Sequence, residues 1–135
     1  MGTRVHGCDV CQEVCPRNRA RLQTKMPDDE FLVMLSRKFS LASMLHMTDA
    51  FYEECVQPLM YNYIKEKKYF QRNAAIALGN LKNPESVPAL EQAMNDSEVL
   101  VREYAAWALG RIGGNAAKQV LEKKNALETF EVVKQ

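Results

Sequence analysis

The sequence has no long hydrophobic run and little of several residue types that build chemical sites. It contains two His and one Trp among 135 residues, and no apolar stretch approaches the ~20 residues that span a bilayer. Its first residues, MGTRVHGCDV, lack the apolar centre of a secretory signal. We find no Ser-His-Asp set, glycine-rich phosphate loop or paired-carboxylate motif. These absences predict a cytoplasmic protein with no membrane partner and no catalytic residue of its own.

Net charge is also small, but its distribution along the chain is uneven. Lys and Arg number 18 against 17 Asp and Glu, which gives a formal charge of +1. All charged residues between Glu13 and Asp28 are basic, and a second basic cluster is interrupted only by Glu66. Such clusters are usually solvated surface, and their other interpretation is binding of a polyanion. The candidate nucleic-acid-binding residues are Arg17, Arg19, Arg21, Lys25, Lys65, Lys67, Lys68 and Arg72.

The composition fits a single soluble domain, and the helical pattern begins at about Pro27. Hydrophobic residues make up 47% and charged residues 26% of the chain, values that are typical of globular proteins. Residues 1–26 lack a sustained apolar period, so we expect loop and short turns there. Pro27 and the three acids after it predict a helix start. The apolar residues that follow at helical spacing, and should form one apolar face, are Phe31, Leu32, Met34, Leu35 and Phe39.

An internal repeat is the clearest pattern in the sequence. Residues 72–94, RNAAIALGNLKNPESVPALEQAM, align without a gap with residues 103–125, EYAAWALGRIGGNAAKQVLEKKN. The alignment pairs Leu78 with Leu109. It also places Trp107 at the position of an Ile, so we expect Trp107 in the core. Each unit reads as two helices joined by an Asn/Pro/Gly turn, and a period of this length is typical of a helical solenoid.

The repeat resembles HEAT repeats and sets the predicted fold class. We predict an all-α protein. A HEAT-like helical repeat solenoid should occupy residues 27–135, and a short cysteine-containing loop segment should precede it over residues 1–26.

Three cysteines lie close together in the segment HGCDVCQEVCPRNR, residues 6–19. Cys8 and Cys11 have the spacing of a thioredoxin-like redox pair, but that interpretation requires a βαβ context and does not use Cys15. The three thiols are also spaced for zinc, with His6 or Cys55 completing a tetrahedral set. Cys55 is surrounded by apolar residues at helical spacing, so we expect it to be a small core residue.

Iron–sulfur ligation is the third interpretation of these cysteines. The pattern C-x2-C-x3-C-P is the end of a longer bacterial run in which the Cys before Pro ligates the second cluster of a pair. The first Cys of that run would fall at Val5, so the motif is incomplete here. The residues alone therefore leave redox, zinc and iron–sulfur chemistry open.

The segment MGTRVHGCDVCQEVCPRNR, followed by QRNAAIALGNL and the repeats, resembles the C-terminal part of the epoxyqueuosine reductase family. These are cobalamin- and iron–sulfur-dependent enzymes of queuosine biosynthesis in tRNA. The resemblance covers essentially the whole chain, and it implies that Cys8 and Cys11 bind one [4Fe–4S] cluster and Cys15 a second. Arg17 stands where the family commonly has Trp, and His6 where Tyr is usual, but neither change removes a ligand.

The resemblance also implies that most of the site lies outside this chain. Two [4Fe–4S] clusters held only by Cys need about eight thiolates, and the motif supplies three of them. The cobalamin-binding catalytic region would precede Met1. We therefore expect a C-terminal fragment of an oxidoreductase that acts on tRNA, inactive alone, which contributes cluster ligands and a helical region for docking or RNA binding. The alternative is a stand-alone HEAT-like protein-interaction module with a vestigial or zinc-binding cysteine segment.

Overall fold

The computed structural model describes residues 2–24, 29–59 and 65–134, and the regular elements within these ranges are all helical. The α-helices are α1 Val10–Glu13, α2 Arg19–Gln23, α3 Glu30–Lys38, α4 Leu41–Leu45, α5 Asp49–Phe51, α6 Gln57–Leu59, α7 Lys68–Leu81, α8 Val87–Ala93, α9 Val99–Ile112, α10 Gly114–Asn125 and α11 Glu131–Lys134. A π-helical turn, Tyr52–Val56, joins α5 to α6, and a 3-10 turn, Pro84–Ser86, precedes α8. The predicted all-α fold is confirmed. No helix in the described ranges is long and apolar enough to span a membrane.

The repeat predicted from the sequence is present as two stacked helix pairs, α7 with α8 and α9 with α10. Helices α7 and α9 begin and end at equivalent positions of the two units, since Lys68–Leu81 aligns with Val99–Ile112. The equivalent side chains Leu78 and Leu109 are buried, with 6% and 0% of their surfaces exposed. Helices α7 and α9 form the most extensive helix contact in the described structure. The period therefore corresponds to one layer of a helical solenoid.

Small residues let α7 and α9 approach closely. The alanines along both helices are mostly buried, and Gly79 lies at the point of closest contact. A Cβ atom added to Gly79 would stand 2.9 Å from Cα of Ala108 and 2.9 Å from Cζ3 of Trp107. Real Cβ contacts are essentially never this short, so the absence of a side chain at Gly79 is what permits this packing.

A buried glutamine ties the first repeat to the elements on either side of it. Gln71 of α7 is 2% exposed, and its Nε2 donates to the carbonyl oxygen of Leu45, at 2.9 Å, and to Oδ2 of Asp96, at 3.1 Å. Leu45 ends α4, which packs on α7, and Asp96 lies in the turn before α9. One side chain thus satisfies polar groups from both neighbouring layers.

One expectation from the sequence, the burial of Trp107, is wrong, and the structure adds detail to two others. The pattern predicts loop and turn for residues 1–26, but their described part contains α1 and α2. Helix α3 buries only Leu35 fully, because Phe31, Leu32 and Met34 of its apolar face are exposed. Trp107, expected in the core, is 42% exposed, and Ile76, the residue at the equivalent position of the first repeat, is itself only half-buried. Pro27 and Asp28, at the predicted helix start, lie outside the described residues. Within them, α3 begins at Glu30, capped by Asp29.

A nearly buried ion pair fixes the segment that follows α10. Arg102 of α9 forms two bonds to Glu128, Nε to Oε2 at 2.8 Å and Nη2 to Oε1 at 3.3 Å. The two side chains are 13% and 7% exposed. Hydrogen bonding from Arg102, aided by the backbone amides of Phe130 and Thr129, lowers the pKa of Glu128 to about 2. The charged form of Glu128 is therefore the form that the fold stabilises.

We expect Glu128→Gln to lower the free energy of unfolding by about 1.5–3 kcal/mol at pH 7, the usual contribution of hydrogen bonds to charged groups. The folded pKa of Glu128 lies below its unfolded value, so the wild type should keep this contribution above about pH 4.5 and lose it as the pH falls toward about 2. Urea unfolding at pH 7 and pH 3 measures the difference. Glu122→Gln, at an exposed position, is the control. Equal effects of the two substitutions would contradict the prediction.

Candidate functional site

The three N-terminal cysteines lie around a single short helix. Cys8 precedes α1, Cys11 lies within it, and Cys15 follows its end. Helix α1 begins because the carbonyl oxygen of Asp9 accepts the backbone N–H groups of Gln12 and Glu13, both at 2.8 Å. All three thiols are free. Cys8 and Cys11 are exposed and Cys15 is half-buried.

The chain turns back on itself immediately after Cys15. The side-chain amide of Asn18 donates to Oε1 of Gln12 at 2.7 Å, and the backbone N–H of Asn18 donates to the carbonyl oxygen of Cys15 at 3.0 Å. These bonds close a loop that contains Pro16. The position of the third thiol relative to α1 is therefore fixed by local hydrogen bonds.

Two asparagines of α7 attach the start of this cysteine segment, defined as residues 2–18, to the first repeat. Asn73 Nδ2 donates to the carbonyl oxygen of Val5 at 2.8 Å, and Asn80 Nδ2 donates to the carbonyl oxygen of Gly2 at 2.7 Å. The two asparagines are seven residues apart, so they lie on the same face of the helix. The side chain of Val5 also packs against the core. The cysteine segment is thus held against α7 just before its first thiol.

The described residues contain no group of three or more His, Cys, Asp or Glu side chains placed to hold a metal ion. The ring of His6, one candidate fourth zinc ligand, lies 5.6 Å from the ring of Phe70, measured between centroids. Cys55, the other candidate, is half-buried in the π-helical turn. The three thiols are free, and thiolates are the ligands that soft metals and iron–sulfur clusters prefer. They do not by themselves complete a four-ligand site, so any such site needs ligands from elsewhere.

The basic residues of the cysteine segment and α2 are available for binding. Arg17, Arg19 and Arg21 are exposed, and the structure gives them no ion pair within the described ranges. Lys25, the fourth candidate of this group, lies outside those ranges. The three arginines lie within five residues of one another along the chain, just after Cys15. This arrangement presents positive charge beside the thiols.

The second basic cluster is partly neutralised. Lys67 forms an ion pair with Asp49 at 2.7 Å. Lys68 pairs with Glu66 and lies 3.9 Å from Glu98, and the hydrogen bond that Lys68 donates to Glu66 raises the pKa of Lys68. Lys65 is exposed. These lysines therefore have less unpaired charge to offer a polyanion than the sequence indicated.

Arg72 has a positioning role that the sequence did not reveal. Its guanidinium lies 5.4 Å from the ring centroid of Tyr69 and 5.9 Å from that of Tyr104. The same group donates to Oδ1 of Asn73, Nη2 at 2.9 Å and Nε at 3.1 Å. Since Asn73 holds Val5, Arg72 is connected to the cysteine segment through one side chain. The only sequence signal for this network is a polar face on an alanine-rich helix.

Comparison with known proteins identifies the helical part. A family model described as HEAT repeats matches residues 57–135. The chain belongs to the HEAT repeat family. The predicted HEAT-like character is therefore confirmed.

The chain is also similar to longer proteins over almost its whole length. An uncharacterized protein from the gldA 3′ region of Geobacillus stearothermophilus is 37% identical over 139 residues, which cover 99% of this chain and 62% of that protein. The epoxyqueuosine reductase of Bacillus cereus is 35% identical over 137 residues, covering 98% of this chain and 35% of the enzyme. The predicted resemblance to epoxyqueuosine reductases is confirmed, and the chain spans about a third of the length of these enzymes.

The similarity extends to three-dimensional structure. A crystal structure of epoxyqueuosine reductase with an epoxyqueuosine-modified tRNA-Tyr stem loop matches this HEAT repeat chain with a TM-score of 0.75 and 34% identity. The match covers 98% of this chain and 35% of that one. The cysteine segment and the repeats are thus similar to one continuous part of a reductase.

Proposed function

We propose that this chain forms part of an epoxyqueuosine reductase, an oxidoreductase that acts on tRNA, and that it contributes cluster ligands and an RNA-facing HEAT repeat surface. The observation that carries the proposal is the similarity of 98% of the chain to a reductase solved with a tRNA stem loop. The free thiols and unpaired arginines lie in this matched region. A role in tRNA modification agrees with the cytoplasmic location predicted from the sequence.

We assign Cys8 and Cys11 to one [4Fe–4S] cluster and Cys15 to a second. Cys8, before α1, and Cys11, within it, are exposed, while Cys15 follows the helix and its position is fixed by Asn18. The remaining thiolates, and the residues that bind cobalamin, would belong to the catalytic region of the enzyme. Clusters of this type carry electrons, and this chain's part is to hold the sulfur ligands in place.

We assign RNA phosphate contacts first to Arg17, Arg19 and Arg21. Guanidinium groups bind phosphate oxygens with two hydrogen bonds, and such contacts give affinity without base identity. These three side chains are exposed, whereas two lysines of the second cluster are paired with acids. The second basic cluster would add less binding free energy, because the ion pairs of Lys67 and Lys68 must break before these lysines contact phosphate. The members of this cluster are Lys65, Lys67, Lys68 and Arg72.

Replacing Arg17, Arg19 and Arg21 with Gln is expected to weaken binding of a tRNA anticodon stem loop and to reduce the slope of log Kd against log salt concentration. Each lost phosphate contact should reduce the slope by about 0.7–0.9. Fluorescence anisotropy with labelled RNA between low and physiological salt measures both quantities.

Two comparison variants make this test specific. Lys118→Gln removes an exposed charge from α10 and should leave affinity and slope unchanged. Lys67→Gln together with Lys68→Gln should have a smaller effect than the arginine substitutions. An unchanged slope in the arginine variant would contradict the assignment of RNA contacts to the cysteine segment and α2.

A further inference from the structure

The face of α9 that points away from α7 repeats a helix-binding surface that is covered in the first repeat. Gly79 of α7 receives α9 so closely that an added Cβ would stand 2.9 Å from Ala108. Gly110 occupies the equivalent position in the second repeat, and an added Cβ there would meet no atom within 4 Å. The same glycine notch is therefore filled in one layer and open in the next.

A groove of about 610 Å³ lies over this notch. Its walls come from α9, α10 and α11, and its lining includes Trp107, Gly110, Leu121, Glu122 and Val132. Trp107 is 42% and Val132 is 47% exposed, so the groove presents large apolar side chains to solvent. Burial of these side chains is the available driving force for a binding partner.

Helix α11 shows the direction in which a bound helix would lie. It begins at Glu131, about one repeat after Val99, the residue at which α9 begins. Val133 is 6% exposed and belongs to the apolar core, so α11 packs on α9 on the side away from α7. Helix α11 thus occupies the position of the first turn of another repeat, and the groove continues along the path of the following turns.

The charges around the groove define the partner further. In the covered layer, Arg72 of α7 faces the ring of Tyr104 on α9. The equivalent of Arg72 on α9 is Glu103, which is half-buried and lines the groove without a hydrogen bond or ion pair among the described residues. Glu122 adds a second acid. Arg111 is directed onto the ring of Trp107, at 5.7 Å from its centroid.

We propose that this groove binds one amphipathic α-helix of a partner polypeptide. The helix carries small residues where it crosses Gly110 and a basic side chain opposite Glu103. Helix α9 is the template for this ligand, because α9 fills the equivalent notch at Gly79 with Ala108. The proposal is independent of the assignment of the chain to a reductase.

A peptide based on α9 tests the proposal directly. The probe is residues 98–113 with Tyr104→Lys, to face Glu103, and Trp107→Phe, so that the single Trp of the protein reports binding. We expect saturable binding with a blue shift of the Trp107 emission. In the protein, and not in the peptide, Gly110→Leu places a side chain in the open space at Gly110. This substitution should weaken peptide binding by about tenfold or more. Absence of saturable binding or of an emission shift would overturn the proposal.

A charge exchange provides a second test that does not depend on filling the notch. Glu103→Lys should weaken binding of the Lys peptide, and a peptide with Glu in place of that Lys should restore it. Failure of this restoration would overturn the assigned orientation and the proposal with it. The other candidate occupant of the groove is a second copy of this chain. Sedimentation of the protein alone at increasing concentration measures whether it forms a dimer. A dimer that Gly110→Leu abolishes would overturn the proposal, because a second copy, and not a partner helix, would then fill the groove.

Discussion

Leu109→Ala is expected to lower the free energy of unfolding by about 2–5 kcal/mol, the cost of removing a large side chain from a packed core. Leu109 is fully buried in α9, which packs on α7, α8 and α10. Its removal leaves a cavity at the junction of the two repeats, where the helices cannot close without losing other contacts. Urea unfolding followed by far-ultraviolet circular dichroism measures the change.

The repeat offers two matched comparisons for this prediction. Leu78→Ala removes the equivalent buried side chain of the first repeat and should have an effect of similar size. Leu81→Ala, at a position that is 51% exposed, should change stability by no more than about 0.5 kcal/mol. Similar small effects for Leu109 and Leu81 would contradict the assignment of Leu109 to the core of the solenoid.

The helical repeat could be predicted because each layer uses the same local pattern. Small residues such as Ala105 and Gly79 mark the contact faces, and Leu78 and Leu109 fill the space between layers. This information is local and recurs at a fixed offset, so one sequence is enough to detect it. The boundaries of α7 and α9 follow the same offset at both ends.

The exposure of the apolar face of α3 and of Trp107 has a common physical cause. Periodicity identifies an apolar face, but it does not say whether another element covers that face. Leu32 of α3 and Trp107 of α9 are on such faces, and both are exposed in this chain. Coverage depends on long-range packing, which the pattern of one helix does not contain.

The candidate site was located by sequence, but its attachment to the fold was not. The spacing of the cysteines left redox, zinc and iron–sulfur chemistry open, and only the family resemblance favoured iron–sulfur ligation. The hydrogen bond from Asn73 to Val5 joins residues that are 68 positions apart, so nothing local signals it. Arg72 was assigned to RNA from its charge, whereas the structure directs its guanidinium to two Tyr rings and Asn73.

The iron content of the protein should depend on whether the remaining cluster ligands are present. We expect the chain alone, purified in air, to be folded, helical and free of iron, because three thiols do not complete a cluster and the apolar core folds without one. Joining it to the remaining part of the Bacillus cereus reductase, in place of the matching third, should restore the brown colour and about eight iron atoms per molecule.

In this chimera, Cys8→Ala and Cys15→Ala are each expected to lower the iron content, whereas Cys55→Ala should leave it unchanged. The first two remove ligands of different clusters in our assignment, so each should cost about four iron atoms when the other cluster survives. Cys55 is half-buried in the π-helical turn Tyr52–Val56, and it belongs to no group of three or more metal-ligating side chains in the described residues. Iron analysis and the visible absorption spectrum of anaerobically prepared protein measure the outcome. Stoichiometric zinc in both the single chain and the chimera would contradict the iron–sulfur assignment, and with it the proposed role of the cysteine segment in the reductase.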